Sequence, residues 1–365
     1  MDWTDTGYTY LVEVAVVSQT NVDEVIGYLR GVGLSDASIS ENYYSDSRVQ
    51  AKISTIVKEG ESDGYIDNAR LRILVLIPSR DWSEEVVTGY VTDISENTER
   101  GCTKRQYTIE GTIWGLLDHK ISAPIAIAKG ATLVATWTSI MGQLTRMQYT
   151  TTKAQDHTYD FPSPVIYEAG AGLATILFEI LLDYDRMETT GHGVVSLEKY
   201  TSPLKREASR IIDFSSPITL SLYPLKRDVD KWEVPGRSIV TATISKTDSN
   251  GNATQEVMVG AYDAPSSHFA SMATRGWLKV RSDTYSGQND NPTKDELNTI
   301  ARKNWEAEQE QHGVTWSCSS VFADYHAGDV VTLISPYTKT GVKALIKSVQ
   351  TDLGSFTQEL TLKEV

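Results

Sequence analysis

Cysteine is scarce: 365 residues contain two, Cys102 and Cys318. Two thiols so far apart in sequence do not make a disulfide framework, so the expectation is two small buried residues in a reducing compartment. The six histidines are His119, His157, His192, His268, His312 and His326. No two of them stand four apart around a glutamate, which excludes the helical zinc-protease motif. His312 and Cys318 are close in sequence, but one His and one Cys are too few for structural zinc. Basic clusters are also missing. With 34 Lys and Arg against 48 Asp and Glu, the formal charge is −14, and such a surface repels phosphates instead of wrapping nucleic acid. The longest apolar stretch, 173–182, is interrupted by Glu179 and is too short to span a bilayer, so no membrane segment is expected. Met1-Asp2-Trp3-Thr4-Asp5 has neither a basic nor an apolar signal region, and synthesis in the cytoplasm is the expectation.

Chemistry-bearing motifs fail one after another. Gly170-Ala171-Gly172-Leu173-Ala174-Thr175 has two glycines of a dinucleotide fingerprint, but Thr175 stands at the third and no strand feeds the turn. Asp183, Asp185 and Glu179 form an acidic knot at a helix end, where carboxylates are ordinarily solvated. Asp248-Ser249-Asn250-Gly251 opens like a calcium loop but lacks the later acidic ligands, so a hairpin turn is expected. No nucleophile elbow is present. The reading is of a chain with no catalytic residue, no cofactor and no metal, and not an enzyme.

What the sequence does hold is alternation. Tyr8, Tyr10, Val12, Val14 and Val16 share one face of a strand, as do Leu71, Ile73, Val75 and Ile77. Tyr107, Ile109, Gly111 and Ile113 alternate with polar residues, the pattern of a half-buried antiparallel strand. Val22, Val25, Ile26 and Leu29 have helical spacing, predicting a short helix ended by Gly31 or Gly33. Helices are also predicted over 124–146 and 170–186, and a turn at Gly191-His192-Gly193. Thr293 with Glu296 reads as a capping box for a helix over 293–311, with Leu297, Ile300, Ala301 and Trp305 on one stripe. That stripe should bury against a sheet of its own domain.

The expected fold is therefore mainly β with α+β inserts. Residues 1–118 would form one barrel-like domain, followed by a helical or mixed insert over 119–203. A second, split barrel-like domain would combine 204–245 with 319–365, around a mixed insert at 246–318. On this reading residues 238–244 and 330–365 share a sheet.

Three blocks in order resemble the tail-hub proteins of tailed phages, the family that includes baseplate hubs and the N-terminal parts of tail-tip, tail-associated lysin-like proteins. The first is Gly89-Tyr90-Val91-Thr92-Asp93-Ile94 with Tyr107-Thr108-Ile109-Glu110-Gly111 and Leu116-Leu117-Asp118. The second is Gly193-Val194-Val195-Ser196-Leu197-Glu198-Lys199-Tyr200 with Ser202-Pro203 and Arg206. The third is Ala323-Asp324-Tyr325-His326-Ala327-Gly328-Asp329-Val330-Val331 and the strands after it. The first 34 residues match nothing in that family.

The resemblance implies two tail-tube-like β-barrel domains per chain and a homotrimer whose ring continues the tail tube. It implies a virion protein of the tail tip or baseplate, with the tail tube or distal tail protein, the tape measure protein and fibre or spike proteins as partners. DNA would pass through without specific binding, and an acidic lumen would suit that passage. With Glu364-Val365 directly after the last strand, a bare hub is expected. A hub of a phage-derived injection device, a glycan-cleaving tail protein and a carbohydrate-binding one are the alternatives.

Overall fold

The computed structural model describes residues 9–45, 47–144, 147–159, 164–181, 185–215, 221–230, 232–247, 253–285, 292–336 and 341–365, with backbone alone at 221–223, 245–247, 253, 310 and 311. Tyr8, Asp183 and the Asp248–Gly251 turn lie outside them. The chain divides into two compact units, one of residues 1–224 and 318–361, the other of 225–317 and 362–365. No helix among the described residues is long and apolar enough to cross a membrane.

The first unit is built around the strand Arg70–Ile77. Leu71, Ile73, Val75 and Ile77 are wholly buried, as their alternation predicts. Arg70 and Arg72 on the other face are buried too, so both faces of this strand are covered. It pairs antiparallel with Leu11–Val17 on one side and Trp82–Glu99 on the other. Trp82–Glu99 pairs with Cys102–Gly111, which pairs with Val49–Lys58, which pairs with Val32–Asn42. Val32–Asn42 then takes Val342–Asp352 as its other neighbour, from Ser348 opposite Asn42 to Asp352 opposite Ser38. Val330–Ile334 follows antiparallel, and Arg210–Asp213 joins it in parallel. N- and C-terminal strands thus form one sheet.

Beside this sheet lies a small α+β insert. Its helices Leu133–Met141 and Leu173–Leu181 share a core of Trp137, Ile140, Leu173, Ile176, Leu177 and Ile180. Both are shorter than the periodicity predicts. The first starts only at its cap, where the Thr132 hydroxyl accepts the Ala135 N–H at 3.4 Å, and the preceding Ile125–Ile127 is a strand. A second correction concerns the predicted helix around 22–29. Val25–Tyr28 is a strand, paired at the edge of Leu11–Val17, with Val25, Ile26 and Tyr28 exposed. Only Val22 and Leu29 of the apolar stripe are buried, and the free edge of the sheet supplied backbone partners that a four-residue stripe could not outweigh.

The second unit holds a three-stranded sheet and one long helix. Arg237–Thr247 pairs antiparallel with Ala253–Asp263 along its whole length and parallel with Val280–Thr284. Residues 238–244 and 330–365 therefore lie in separate sheets, against expectation. The reason is loop closure: a hairpin to the next strand costs less chain entropy than a partner some ninety residues away. Val240, Ala242 and Ile244 bury under the helix Lys294–Gln311, against Leu297 and Ala301. The capping box forms as predicted: the Thr293 hydroxyl accepts the Glu296 N–H at 3.2 Å, and the Glu296 carboxylate accepts the Thr293 N–H at 2.6 Å. The helix sits so close to the sheet that a Cβ on Gly260 would fall 2.3 Å from the Leu297 carbonyl carbon.

The two thiols differ in environment. Burial pushes the Cys318 thiol up to about 12, whereas Cys102 is partly exposed and donates to the Glu99 carbonyl at 3.1 Å. Because the thiolate is the reactive form, Cys102 should react with a maleimide in the native protein and Cys318 only after denaturation. Mass spectrometry of the labelled chain checks this; native labelling of Cys318 would contradict its burial.

Candidate functional site

The strand Trp82–Glu99 carries two consecutive glutamates, and a bulge beside them redirects the chain. Ile73 faces Val87 while Leu74 faces Glu85, leaving Val86 without a partner. Neighbouring strand residues point to opposite sides, and a bulge sharpens the local bend. Glu84 and Glu85 consequently meet two different histidines.

Glu84 meets His326. The His326 Nε2 lies 2.9 Å from Glu84 Oε1 and 2.9 Å from Asp324 Oδ1. Its Nδ1 lies 3.2 and 3.3 Å from the two oxygens of Glu41. Each carboxylate is held in turn. Glu41 is nearly buried and accepts the Ala327 N–H at 3.1 Å; Asp324 Oδ2 accepts from Arg210 Nη2 at 2.6 Å. Asp329 accepts the His326 N–H at 3.3 Å. Burial opposes a charged imidazole here, but the hydrogen bonds to Asp324, Glu41 and Glu84 outweigh it and raise His326 far above its ordinary value. Burial raises Glu84, and its Oε2 is buried without a hydrogen-bond partner.

Glu85 meets His192. His192 Nδ1 lies 2.5 Å from Glu85 Oε2, and its Nε2 lies 2.7 Å from Asp23 Oδ1. The buried Arg72 donates to Glu85 at 3.0 Å, to the Val22 carbonyl at 2.5 Å and to the His192 carbonyl at 3.1 Å. The turn Gly191-His192-Gly193 forms as predicted and presses onto the bulged strand. A Cβ at Gly191 would stand 1.5 Å from the Glu85 carbonyl oxygen, so no other residue fits.

A polar cavity of about 270 Å³ opens beside the His326 cluster, lined by Glu41, Glu84, His326, Arg48, Arg186 and Glu188 among others. On its wall the Tyr43 ring lies beneath three guanidiniums, Arg186 at 4.1 Å and Arg48 and Arg206 each at 5.7 Å. Arg206 also donates to the Tyr43 hydroxyl at 3.1 Å and the Gly328 carbonyl at 2.7 Å. Arg206 and the 323–331 segment, separate blocks of the sequence resemblance, are thereby joined.

Residues set aside in the sequence fall elsewhere. His312 pairs with Asp230 at 3.0 Å and Glu308 at 3.5 Å. Glu179 is exposed, but Asp185 is not the solvated carboxylate expected: it is buried, and both its oxygens accept the Gln155 N–H at 3.0 Å. Burial raises its carboxyl. Gly170 and Gly172 sit in the loop ahead of the helix Leu173–Leu181. The His326 cluster escaped sequence reading because its members come from positions 41, 84 and 324–326; the spacing Asp324, His326, Asp329 was the sole local sign.

This fold is similar to that of solved phage tail proteins and of a chain in a PdpA–VgrG complex. A tail protein from Neisseria meningitidis MC58 superimposes with a TM-score of 0.67 at 11% identity, covering 98% of this chain and 97% of that one. The 43 kDa tail protein of prophage MuSo2 from Shewanella oneidensis gives 0.65 at 10% identity, with 98% of both chains covered. A chain of the Francisella PdpA–VgrG complex gives 0.58 at 10% identity, covering 99% of this chain and 53% of that chain. No family model and no curated protein matches the sequence.

Proposed function

We propose that this chain is a structural hub at the distal end of a phage tail. Three copies form a ring that continues the tail tube, linking the tube or distal tail protein and the tape measure protein to fibre or spike proteins. DNA passes through the channel without specific binding, and the protein does no catalysis. The observation that carries this reading is the two-way, nearly complete coverage between this chain and phage tail proteins. The formal charge of −14 is consistent with a channel that repels phosphates. A hub of a phage-derived injection device is the second reading, favoured by the likeness to a VgrG-containing complex.

Light scattering on the purified chain, together with mass measurement of the assembled particle, tests the assembly. Three chain masses are expected. A monomer in both settings overturns the ring.

A further inference from the structure

We infer that Glu84, Asp324 and His326 form a site for a single divalent transition-metal ion, of the zinc class, in the first unit. Among the described residues one group of imidazole and carboxylate atoms converges closely enough to ligate an ion: Glu84, Asp324 and His326, all within 4.8 Å of one another. The inference does not rest on the hub reading.

Two carboxylates share one nitrogen. His326 Nε2 stands at 2.9 Å from a Glu84 oxygen and at 2.9 Å from an Asp324 oxygen. One N–H directs one strong hydrogen bond, so a proton serves two carboxylates poorly. A cation between the three atoms serves all of them. Zinc binds nitrogen and carboxylate oxygen at about 2.0–2.2 Å, and a tetrahedral ion then spaces its ligands by roughly 3.3 Å. The two nitrogen–oxygen separations of 2.9 Å need to open by only about 0.4 Å each to reach that spacing.

Behind the three ligands stand further groups that hold them in place. A metal-bound imidazole characteristically has its other nitrogen held by a carboxylate, which fixes the ring and raises its basicity. Glu41 stands in that position on Nδ1 and is itself anchored by the Ala327 N–H. Arg210 holds the far oxygen of Asp324 and also donates to the Ala323 carbonyl at 2.6 Å. The second oxygen of Glu84 is buried and without a partner, leaving it open to a cation.

Charge points the same way. Glu41, Glu84, Asp324 and Asp329 gather around His326, with Arg210 on Asp324 and Arg48 and Arg186 lining the adjoining cavity. Partly buried carboxylates in that number repel one another, and a dication relieves them. One imidazole with two carboxylates suits zinc better than calcium or magnesium, which favour six or more oxygen ligands. The adjoining cavity leaves room for a water as fourth ligand. Such an ion would staple Trp82–Glu99 to the 323–329 segment, some 240 residues later in the chain.

The test uses the full chain stripped with a chelator and titrated with zinc alone by calorimetry, then with cobalt to read the visible spectrum. One equivalent of zinc per chain is expected, with cobalt bands of a four-coordinate nitrogen and oxygen site and a raised melting temperature. Glu84→Gln and Asp324→Asn should weaken zinc binding at least 100-fold, and Glu41→Gln by about 10–100-fold through its hold on the ring. His192→Gln, in the other histidine cluster, should leave stoichiometry and affinity unchanged. If a ligand variant does not fold, the Glu41→Gln affinity and the wild-type cobalt spectrum still decide. Absence of zinc binding to the stripped chain at 100-micromolar metal (about −5.5 kcal/mol) overturns the site. So does binding that is unchanged in Glu84→Gln or lost in His192→Gln.

Discussion

Replacing Trp305 by alanine should cost about 3–5 kcal/mol and lower the melting temperature and soluble yield of the isolated chain. Trp305 is 5% exposed and packs with Val234, Ala264 and Ala270, its ring 5.3 Å from that of Tyr262. Its indole N–H donates to the Pro235 carbonyl at 2.8 Å, so alanine leaves both a cavity and a buried acceptor unmet. Trp305→Phe keeps most of the ring and should cost less. A tryptophan whose role was to anchor a neighbouring tail protein would behave differently, because its loss would spare the melting temperature and block assembly. Calorimetry and an assembly assay on one variant separate these, and an unchanged melting temperature would refute the core role.

The second large effect lies at Asp63, which is fully buried in the first unit. Its carboxylate accepts from the Thr55 hydroxyl at 2.7 Å, from the Tyr107 hydroxyl, from the Tyr65 N–H at 3.2 Å and from Arg105 at 3.1 Å. Burial alone would raise its carboxyl, but these donors overcome it and hold it below the usual range. Asp63→Ala leaves the Thr55 and Tyr107 hydroxyls unmet, while Arg105 keeps Glu96 at 2.6 Å, and should cost about 2–5 kcal/mol. A carboxyl lowered on folding stabilises fully above its unfolded value, roughly 3.9, and loses that contribution as the pH falls through its lower folded value. The stability gap between the chain and Asp63→Asn should therefore be widest near neutral pH and shrink below about pH 4. Urea melts at pH 7 and pH 3 measure it; an equal gap at both would show that the carboxylate charge is not what stabilises.

Signals in the sequence proved faithful where they concerned which side chains of a segment are buried. Leu71, Ile73, Val75 and Ile77 bury as their alternation demands, and the helix Lys294–Gln311 starts at its capping box and hides its stripe. Trouble began where the side-chain pattern did not say which backbone would pair. Val25–Tyr28 carries helical spacing yet serves as an edge strand, because the backbone of Leu11–Val17 was available to it. Arg237–Thr247 carries strand alternation, but alternation does not name a partner, and the adjacent hairpin took it. The histidine sites were least legible of all. Nothing near Glu41 or Glu84 announces His326, and a bulge at Val86 that no residue type advertises sends Glu84 and Glu85 to separate clusters.

The pairing of Val32–Asn42 with Val342–Asp352 also has a consequence in time. One neighbour of Val32–Asn42 is translated almost at once, as Val49–Lys58. The other leaves the ribosome roughly 300 residues later. At about 5–20 residues per second that is a wait of roughly 15–60 s. During it one side of the strand presents open N–H and C=O groups, the template on which nascent chains misassemble. The exposed Ser35 and Asp36 and the carboxylate of Glu41 put polar groups on that strand while it waits. Anything that slows elongation between these strands should therefore tax the yield of folded protein more than its final stability.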